Sequence, residues 1–260
     1  MSWFYRNIFL KVNCMLIQTL LIICILLAIL ISFSKKREPF KTVQTSYSAY
    51  GTEHSNVYDS LVYDGLKNEM ELSFLQPTLT NSSNVLDIGC GTGHHVHALN
   101  ERGINAIGLD NSSAMISRAK KQYSHEFFEG NALSTALFPS ESFTHILCMY
   151  FTLYCMKHKE HFFNNAYYWL TPDGYLAVHL SEKWSYGPTS SFKGPFSYKN
   201  DYSRETITIQ GKRKRIEHQV YMESISTILG IAKQAGFIVH SIYAYDIPYK
   251  GQFLYVFTKP

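Results

Sequence analysis

Residues 12–34 contain no charged side chain, a run of 23 positions dominated by leucine and isoleucine, with polar Gln18, Thr19 and Ser32 inside its apolar stretch and Asn13 and Ser34 near its ends. Hydrocarbon offers the backbone no hydrogen-bond partner, so such a run is expected to form a helix. At a rise of about 1.5 Å per residue it would reach about 34 Å, enough to cross a bilayer core. It is longer than the apolar part of a secretory signal, about 7–15 residues, and no small-x-small cleavage site follows it. Residues 1–34 are therefore expected to be a retained membrane anchor. Arg6 and Lys11 precede the run, whereas Lys35, Lys36, Arg37 and Lys41 follow it. That excess predicts a single-pass protein whose remaining chain faces the cytosol. The glycosylation sequon at Asn111-Ser112-Ser113 agrees, because it falls where a ligand pocket is expected below and a glycan would block it.

Beyond a polar tether at 35–56, the pattern changes from continuous to periodic. Apolar positions at helical spacing predict a helix over 57–75, ended by Pro77 and Asn81-Ser82-Ser83. Short apolar runs then alternate with helical stretches. Strands are expected at 84–88, 104–109, 125–129, 144–149 and 175–180. Helices are expected at 92–102, 112–123 (capped by Ser112 or Ser113) and 157–170. Such alternation places helices on both faces of a mostly parallel sheet, a doubly wound α/β fold. The rhythm breaks at 185–203, rich in Gly, Pro, Ser and aromatics, which reads as a lid loop. Strand-like runs at 205–210 and 215–222 flank Gly211-Lys212 as a hairpin, so 185–222 forms an insertion. A helix at 225–235 and strands at 237–245 and 252–258 complete a domain spanning 57–260.

Composition narrows the classes. Charged residues are 17% and aromatics 15%, which excludes disorder. A net charge of +4 without a basic stripe gives no reason to expect a nucleic-acid partner. Cys14, Cys24, Cys90, Cys148 and Cys155 lack the spacing of a zinc site or a disulfide framework and are expected as free thiols, although Cys148 and Cys155 are near enough in sequence to pair.

The chemistry concentrates at Val85-Leu86-Asp87-Ile88-Gly89-Cys90-Gly91-Thr92-Gly93. A buried strand runs into three glycines at alternate positions and then into a helix. Absent side chains let a ligand lie against backbone, and the amides at the helix start offer donors. A dinucleotide loop carries a small residue at the sixth position, for close helix–strand packing, and here His94 stands there. Asp87 can accept a hydrogen bond from the amino group of an amino-acid moiety. Asp110, 21 residues after Gly89 at the end of the next strand, can accept from both hydroxyls of a ribose. Asn131, in Glu129-Gly130-Asn131-Ala132, can meet an adenine edge. Trp169-Leu170-Thr171-Pro172-Asp173-Gly174-Tyr175 joins a helix end, a turn and a strand.

Taken in order over 58–260, these motifs resemble those of the class I S-adenosylmethionine-dependent methyltransferases, and most closely the broad group that includes the ubiquinone- and menaquinone-biosynthesis enzymes and many small-molecule methyltransferases. The resemblance implies a Rossmann-like seven-stranded sheet with an antiparallel last strand. It implies S-adenosyl-L-methionine as cofactor, held at Asp87, Gly89, Cys90, Gly91, Gly93, Asp110, Asn111, Asn131 and Ala132. Asp173 departs from the family's glycine at that turn, and Asn131 from its more usual aspartate. Catalytic candidates lie beyond the C-terminal strand ends. Tyr154 and His179 are the first of these, with Tyr150, Phe151 and His218 near them and Tyr58 and Tyr63 in the helix that closes over the cofactor. His94, His95 and His97 lack zinc-site spacing and are expected on a helix surface. Lys212-Arg213-Lys214-Arg215 reads as a solvated hairpin end that anionic lipid can also attract. With an anchor present, the expected acceptor is small or lipid-like. A binding protein that has lost methyl transfer, and a methyltransferase acting on protein or RNA, remain compatible with the same cofactor motifs. The Asn-Pro-Pro-Tyr and Pro-Cys signatures of nucleic-acid enzymes are absent.

Overall fold

A computed structural model describes residues 41–44, 51–56, 58–182, 197–201, 206–210 and 214–260. The expected anchor at 12–34, most of the expected lid loop at 185–203 and the expected hairpin turn at Gly211-Lys212 lie outside the described residues. Among the described residues no helix is long and apolar enough to cross a membrane.

In chain order the elements are β1 (Lys41–Gln44), α1 (Thr52–Ser55), α2 (Tyr58–Leu61), α3 (Gly65–Leu75), β2 (Asn84–Ile88), α4 (His94–Asn100), β3 (Asn105–Asp110), α5 (Ser113–Gln122), β4 (Phe127–Glu129), β5 (Phe143–Cys148), α6 (Lys159–Trp169), β6 (Leu170–Ser181), β7 (Ser197–Asp201), β8 (Thr206–Gln210), β9 (Lys214–Gln219), α7 (Ile225–Gln234), β10 (Ile238–Ala244) and β11 (Gln252–Thr258). Seven strands form the main sheet in the order β10-β11-β6-β5-β2-β3-β4. The β4-β3-β2-β5-β6 portion is parallel, and β11 runs antiparallel to both β6 and β10. The doubly wound sheet with its antiparallel last strand is thus as the sequence implied. β7, β8, β9 and β1 form a separate sheet, in which the expected hairpin pairs Thr206 with Gln219 and β1 runs parallel to β9.

Side-chain alternation distributes the sheet between two cores. Leu86 and Ile88 of β2 point to the side covered by α6 and α7, where Phe162, Phe163, Trp169 and Ile228 are fully buried. Val85 faces the opposite side, with Leu72, Val96, Leu99 and Ile116 from α3, α4 and α5.

Local chemistry explains where the elements depart from the expected boundaries. The helix expected at 57–75 is two helices, because Asp64 caps the second: its carboxylate accepts from the Leu66 and Lys67 amides at 3.1 and 3.2 Å. Ser112 caps α5, accepting from the Met115 amide at 3.2 Å, as expected. Part of the 35–56 tether is ordered structure, β1 and α1. Strand β6 begins at Leu170, earlier than expected, and its pairing with β5 slips between Phe143 and His145, where the 170–174 turn interrupts the strand. Asp173 in that turn has φ of 60°, a left-handed conformation that glycine favours and aspartate tolerates better than most residues.

One polar cluster is buried inside α3, α4, β6 and the segment after β10. Lys67 Nζ lies 2.9 Å from Glu71 Oε1 and 3.2 Å from His179 Nδ1. The other Glu71 oxygen is 3.0 Å from His95 Nε2, and the Tyr245 hydroxyl donates to Glu71 at 2.9 Å. Lys67 also sits 4.2 Å from the centre of the Tyr150 ring. A buried ion pair is tolerated only with such company, and breaking one by removing a partner costs about 3–5 kcal/mol. We expect Lys67→Met to lower unfolding free energy by about that amount, read by denaturant titration. A loss under 1 kcal/mol would show that the cluster is not structurally required.

Candidate cofactor site and acceptor cavity

Strand β2 ends in a turn that only glycine accommodates. Gly89, Gly91 and Gly93 have φ of 71°, 54° and 88°. A Cβ on Gly89 would lie 2.3 Å from the Thr152 methyl, and one on Gly93 would lie 2.6 Å from the Phe127 ring. The amides of the turn are consumed inside the protein. Gly89 and Cys90 donate to the Leu109 carbonyl at 2.7 and 3.1 Å, and Gly93 donates to the Cys90 carbonyl at 2.9 Å. Gly91 donates to Asp110 Oδ2 at 2.9 Å. The loop therefore contributes closeness more than hydrogen-bond donors, a correction to the expectation from sequence.

Asp110, at the end of β3, spans this loop and the next helix, since its Oδ1 accepts from the Ser112 amide at 2.8 Å. Each carboxylate oxygen keeps further accepting capacity, so the group can also meet hydroxyls. Burial raises its pKa. Asp87 is buried, and its Oδ2 has no hydrogen-bond partner among the described residues. Burial pushes its pKa up to about 7, helped by the charges of Asp110 and Glu71 and opposed by His95. An orphaned carboxylate oxygen beside a side-chain-free bend is a receptor for a cation.

A cavity of about 290 Å³ opens at the C-terminal strand ends. Gly89, Gly91, Asp110, Asn111, Asn131 and Ala132 line it together, which gathers most of the residues expected to hold the cofactor. Cys90 and Asp87 line a smaller neighbouring cavity on the other side of Tyr58. The Asn131 side-chain oxygen accepts from the Leu133 amide at 3.0 Å, which leaves its NH2 for a base edge. Asn165 holds the Ala132 carbonyl at 2.9 Å.

Helix α2 closes over the turn. The Tyr58 ring packs 3.6 Å from where a Gly91 Cβ would be. Its neighbour Asp59 fastens it, accepting from the Thr92 hydroxyl at 2.5 Å and from Gln122 at 3.2 Å, with His94 Nε2 3.2 Å away. Burial opposes ionisation there, but the His94 and Thr92 contacts hold the Asp59 carboxyl well below the usual range.

The far wall comes from elsewhere in the chain. Tyr150 and Phe151 follow β5 with φ of 46° and 65°, a strained pair of the kind found where function requires it. Tyr150 lines the cavity and donates its hydroxyl to the Asp64 carbonyl at 3.1 Å. Cys155, Met156, His218 and Tyr221 complete the wall. His218 Nε2 is 3.2 Å from Cys155 Sγ. Buried Lys159 ties this wall together, donating to the Met156 and Tyr221 carbonyls at 2.9 Å each and pairing with Glu223.

The two first catalytic candidates do not line the cavity. Tyr154 is fully buried, its hydroxyl donating to the Ser181 carbonyl at 3.1 Å and accepting from the Ser181 amide at 3.2 Å, and burial pushes its pKa up to about 12. His179 is fully buried in the Lys67 cluster, stacked on Phe151 at 4.0 Å. Burial and the Lys67 charge push its pKa well below the usual range. Both residues support the cavity from behind. Cys148 and Cys155 are free thiols.

Residues 85–174 match the family model of a methyltransferase domain. The chain carries a methyltransferase domain. No curated protein matches the chain by sequence. Among solved structures, the CcbJ methyltransferase from Streptomyces caelestis is similar at a TM-score of 0.64 and 15% identity, over 82% of this chain and 98% of that one. An S-adenosylmethionine-dependent methyltransferase from Clostridium acetobutylicum is similar at a TM-score of 0.59 and 16% identity, over 79% and 97% of the two chains. The PH0226 protein from Pyrococcus horikoshii OT3 gives 0.59 and 18%, over 80% and 99%. At these identities the likeness establishes the fold.

The residues present fit S-adenosylmethionine on the methyltransferase domain: Asp87 for its ammonium, Asp110 for its ribose and Asn131 for its base. Ionised Asp87 is the form that holds an ammonium. Its folded value lies above that of the unfolded chain, so ionising it costs stability as pH rises from about 4 to about 7, and a cationic ligand offsets that cost. Affinity for the demethylated cofactor should therefore rise as pH increases from 6 to 7, by up to about tenfold, and level off above. Titration calorimetry across this range checks it, and Asp87→Asn should abolish the slope. A flat profile in the unaltered chain would exclude Asp87 as the ammonium partner.

Proposed function

We propose that this methyltransferase acts from a membrane, carrying methyl groups from S-adenosylmethionine to a small or lipid-like acceptor that enters beside His218. The observation that carries the acceptor assignment is the cavity wall of Tyr150, Met156 and Tyr221, apolar except for a few polar tips, next to the cofactor cradle. The likeness to quinone-biosynthesis enzymes and the uncharged run at 12–34 support an apolar acceptor reached from a bilayer, with the domain on the cytosolic side.

The cofactor, when bound, supplies a methyl group already activated by a sulfonium. What remains for the protein is to bring the acceptor into line and exclude water. The αL turn at Tyr150 and Phe151 and the strap held by Lys159 form the rigid part of that wall. An acceptor that arrives protonated must lose its proton as the new bond to carbon forms. His218 is the single imidazole lining the cavity among the described residues, and we assign it that proton, with Cys155 orienting its ring.

Transfer of labelled methyl from the cofactor, assayed on membrane extract with the full chain, should yield a labelled product that partitions into organic solvent. The chain should sediment with membranes and resist salt extraction, and removing residues 1–40 should release it. Label confined to aqueous small molecules, or release of the intact chain by salt, overturns the membrane-acceptor reading. Label on RNA or protein would favour the alternative acceptors.

With a protonated acceptor in hand, His218→Asn should lower kcat by about 10²-fold while leaving affinity for the demethylated cofactor within about twofold. A kcat within threefold of the unaltered enzyme would remove His218 from the proton path.

A further inference from the structure

We propose that His97, Glu101 and His125 form a site for a borderline divalent transition ion, zinc(II) or a close neighbour, outside the cofactor cavity.

His97 and Glu101 stand one turn apart at the C-terminal end of α4, and His125 enters from the loop before β4. One ligand atom from each of the three lies within 4.8 Å of the others. His97 Nδ1 and His125 Nε2 are 3.1 Å apart. Two ligands each about 2.0–2.1 Å from a shared ion, at tetrahedral to octahedral angles, lie about 2.8–3.4 Å apart. The nitrogens are thus already at the spacing that a metal requires. Glu101 Oε1 is 3.9 Å from His97 Nδ1, and its side chain is 67% exposed, so a rotamer change brings it to an ion.

The rings are held before any ion arrives. His97 stacks on Tyr123 with centroids 4.1 Å apart and planes at 15°. The Tyr123 hydroxyl is in turn hydrogen-bonded to His94 Nδ1 at 2.8 Å. A surface depression lined by His94, His97, Glu101 and Tyr123 opens the site to solvent. Nearby Arg102 is paired with Glu69, which offsets its positive charge. Of the three histidines in the 94–97 run, His95 turns inward to Glu71 and His94 to Asp59, whereas His97 faces His125.

Coordination uses the lone pairs of His97 Nδ1 and His125 Nε2. The proton that one nitrogen now lends to the other moves to the outer nitrogen of its own ring, so two neutral imidazoles and one carboxylate bind the ion, and water fills the remaining positions. That donor set suits zinc, nickel, cobalt or copper, and suits magnesium or calcium poorly.

The test uses the full chain in detergent, with any histidine tag removed and metal stripped by chelator. Cobalt(II) titration should produce visible d–d absorption saturating at one ion per chain, and zinc(II) should displace it. Magnesium(II) should neither bind nor compete. His125→Ala and His97→Ala should each weaken cobalt binding at least tenfold, with unchanged circular dichroism, and Glu101→Gln should weaken it less. Absence of saturable binding, equal binding by magnesium, or cobalt affinity indifferent to His125→Ala would overturn the assignment. None of these outcomes depends on methyl transfer.

Discussion

The architecture of the site rests on a steric constraint at the end of β2. Three residues at alternate positions take left-handed backbone conformations, and the space beside two of them is filled by Thr152 and Phe127. No side chain larger than hydrogen can stand at Gly89 or Gly93 without moving another segment. The turn stays in place because its amides are committed to Leu109 and Asp110 on the neighbouring strand. A loop stiffened in this way presents backbone to a ligand with little ordering left to do, and that is the condition under which a cradle binds well.

Around that turn the protein uses polar groups where most domains use apolar ones. The Lys67–Glu71 pair with His95, His179 and Tyr245 ties α3 and α4 to β6 and to the segment after β10. Asp59 fastens α2 so that Tyr58 covers Gly91. The first of these arrangements places charge near the orphaned Asp87 oxygen. Glu71 and Asp110 raise its pKa together with burial, while His95 opposes them. The same buried chemistry that orients the helices therefore also shifts the ionisation of Asp87.

The acceptor side is assembled differently. Its wall joins the strained turn after β5, the Cys155–Met156 stretch and the segment leaving β9, which Lys159 and the bond from the Tyr221 amide to the Tyr154 carbonyl hold to the main fold. The glycine-turn side of the cavity thus sits on the parallel sheet that defines the fold, and the opposite wall draws on the insertion. Substrate choice can change along such a chain without disturbing the cradle.

Much of the glycine-turn side of the cavity was legible in the amino-acid sequence because its signals are local. The strand, the three glycines, Asp87, and Asp110 at the end of the next strand are set by spacing, and spacing survives folding. The alternation of strands and helices likewise gave the sheet, since each element buries one face and its period shows which. Tyr154 and His179 stand correctly near strand ends, yet position along a strand does not tell which way a side chain turns: one bonds to the backbone of Ser181, the other is buried against Lys67. The meeting of His218 with Cys155, 63 residues apart, and of His97 with His125, 28 apart, arises from long-range packing. Sequence determined the elements and the turn chemistry, because these depend on near neighbours. Tertiary structure alone decided which polar groups share a cavity and which are buried behind it, because that depends on contacts between distant segments that no periodicity records.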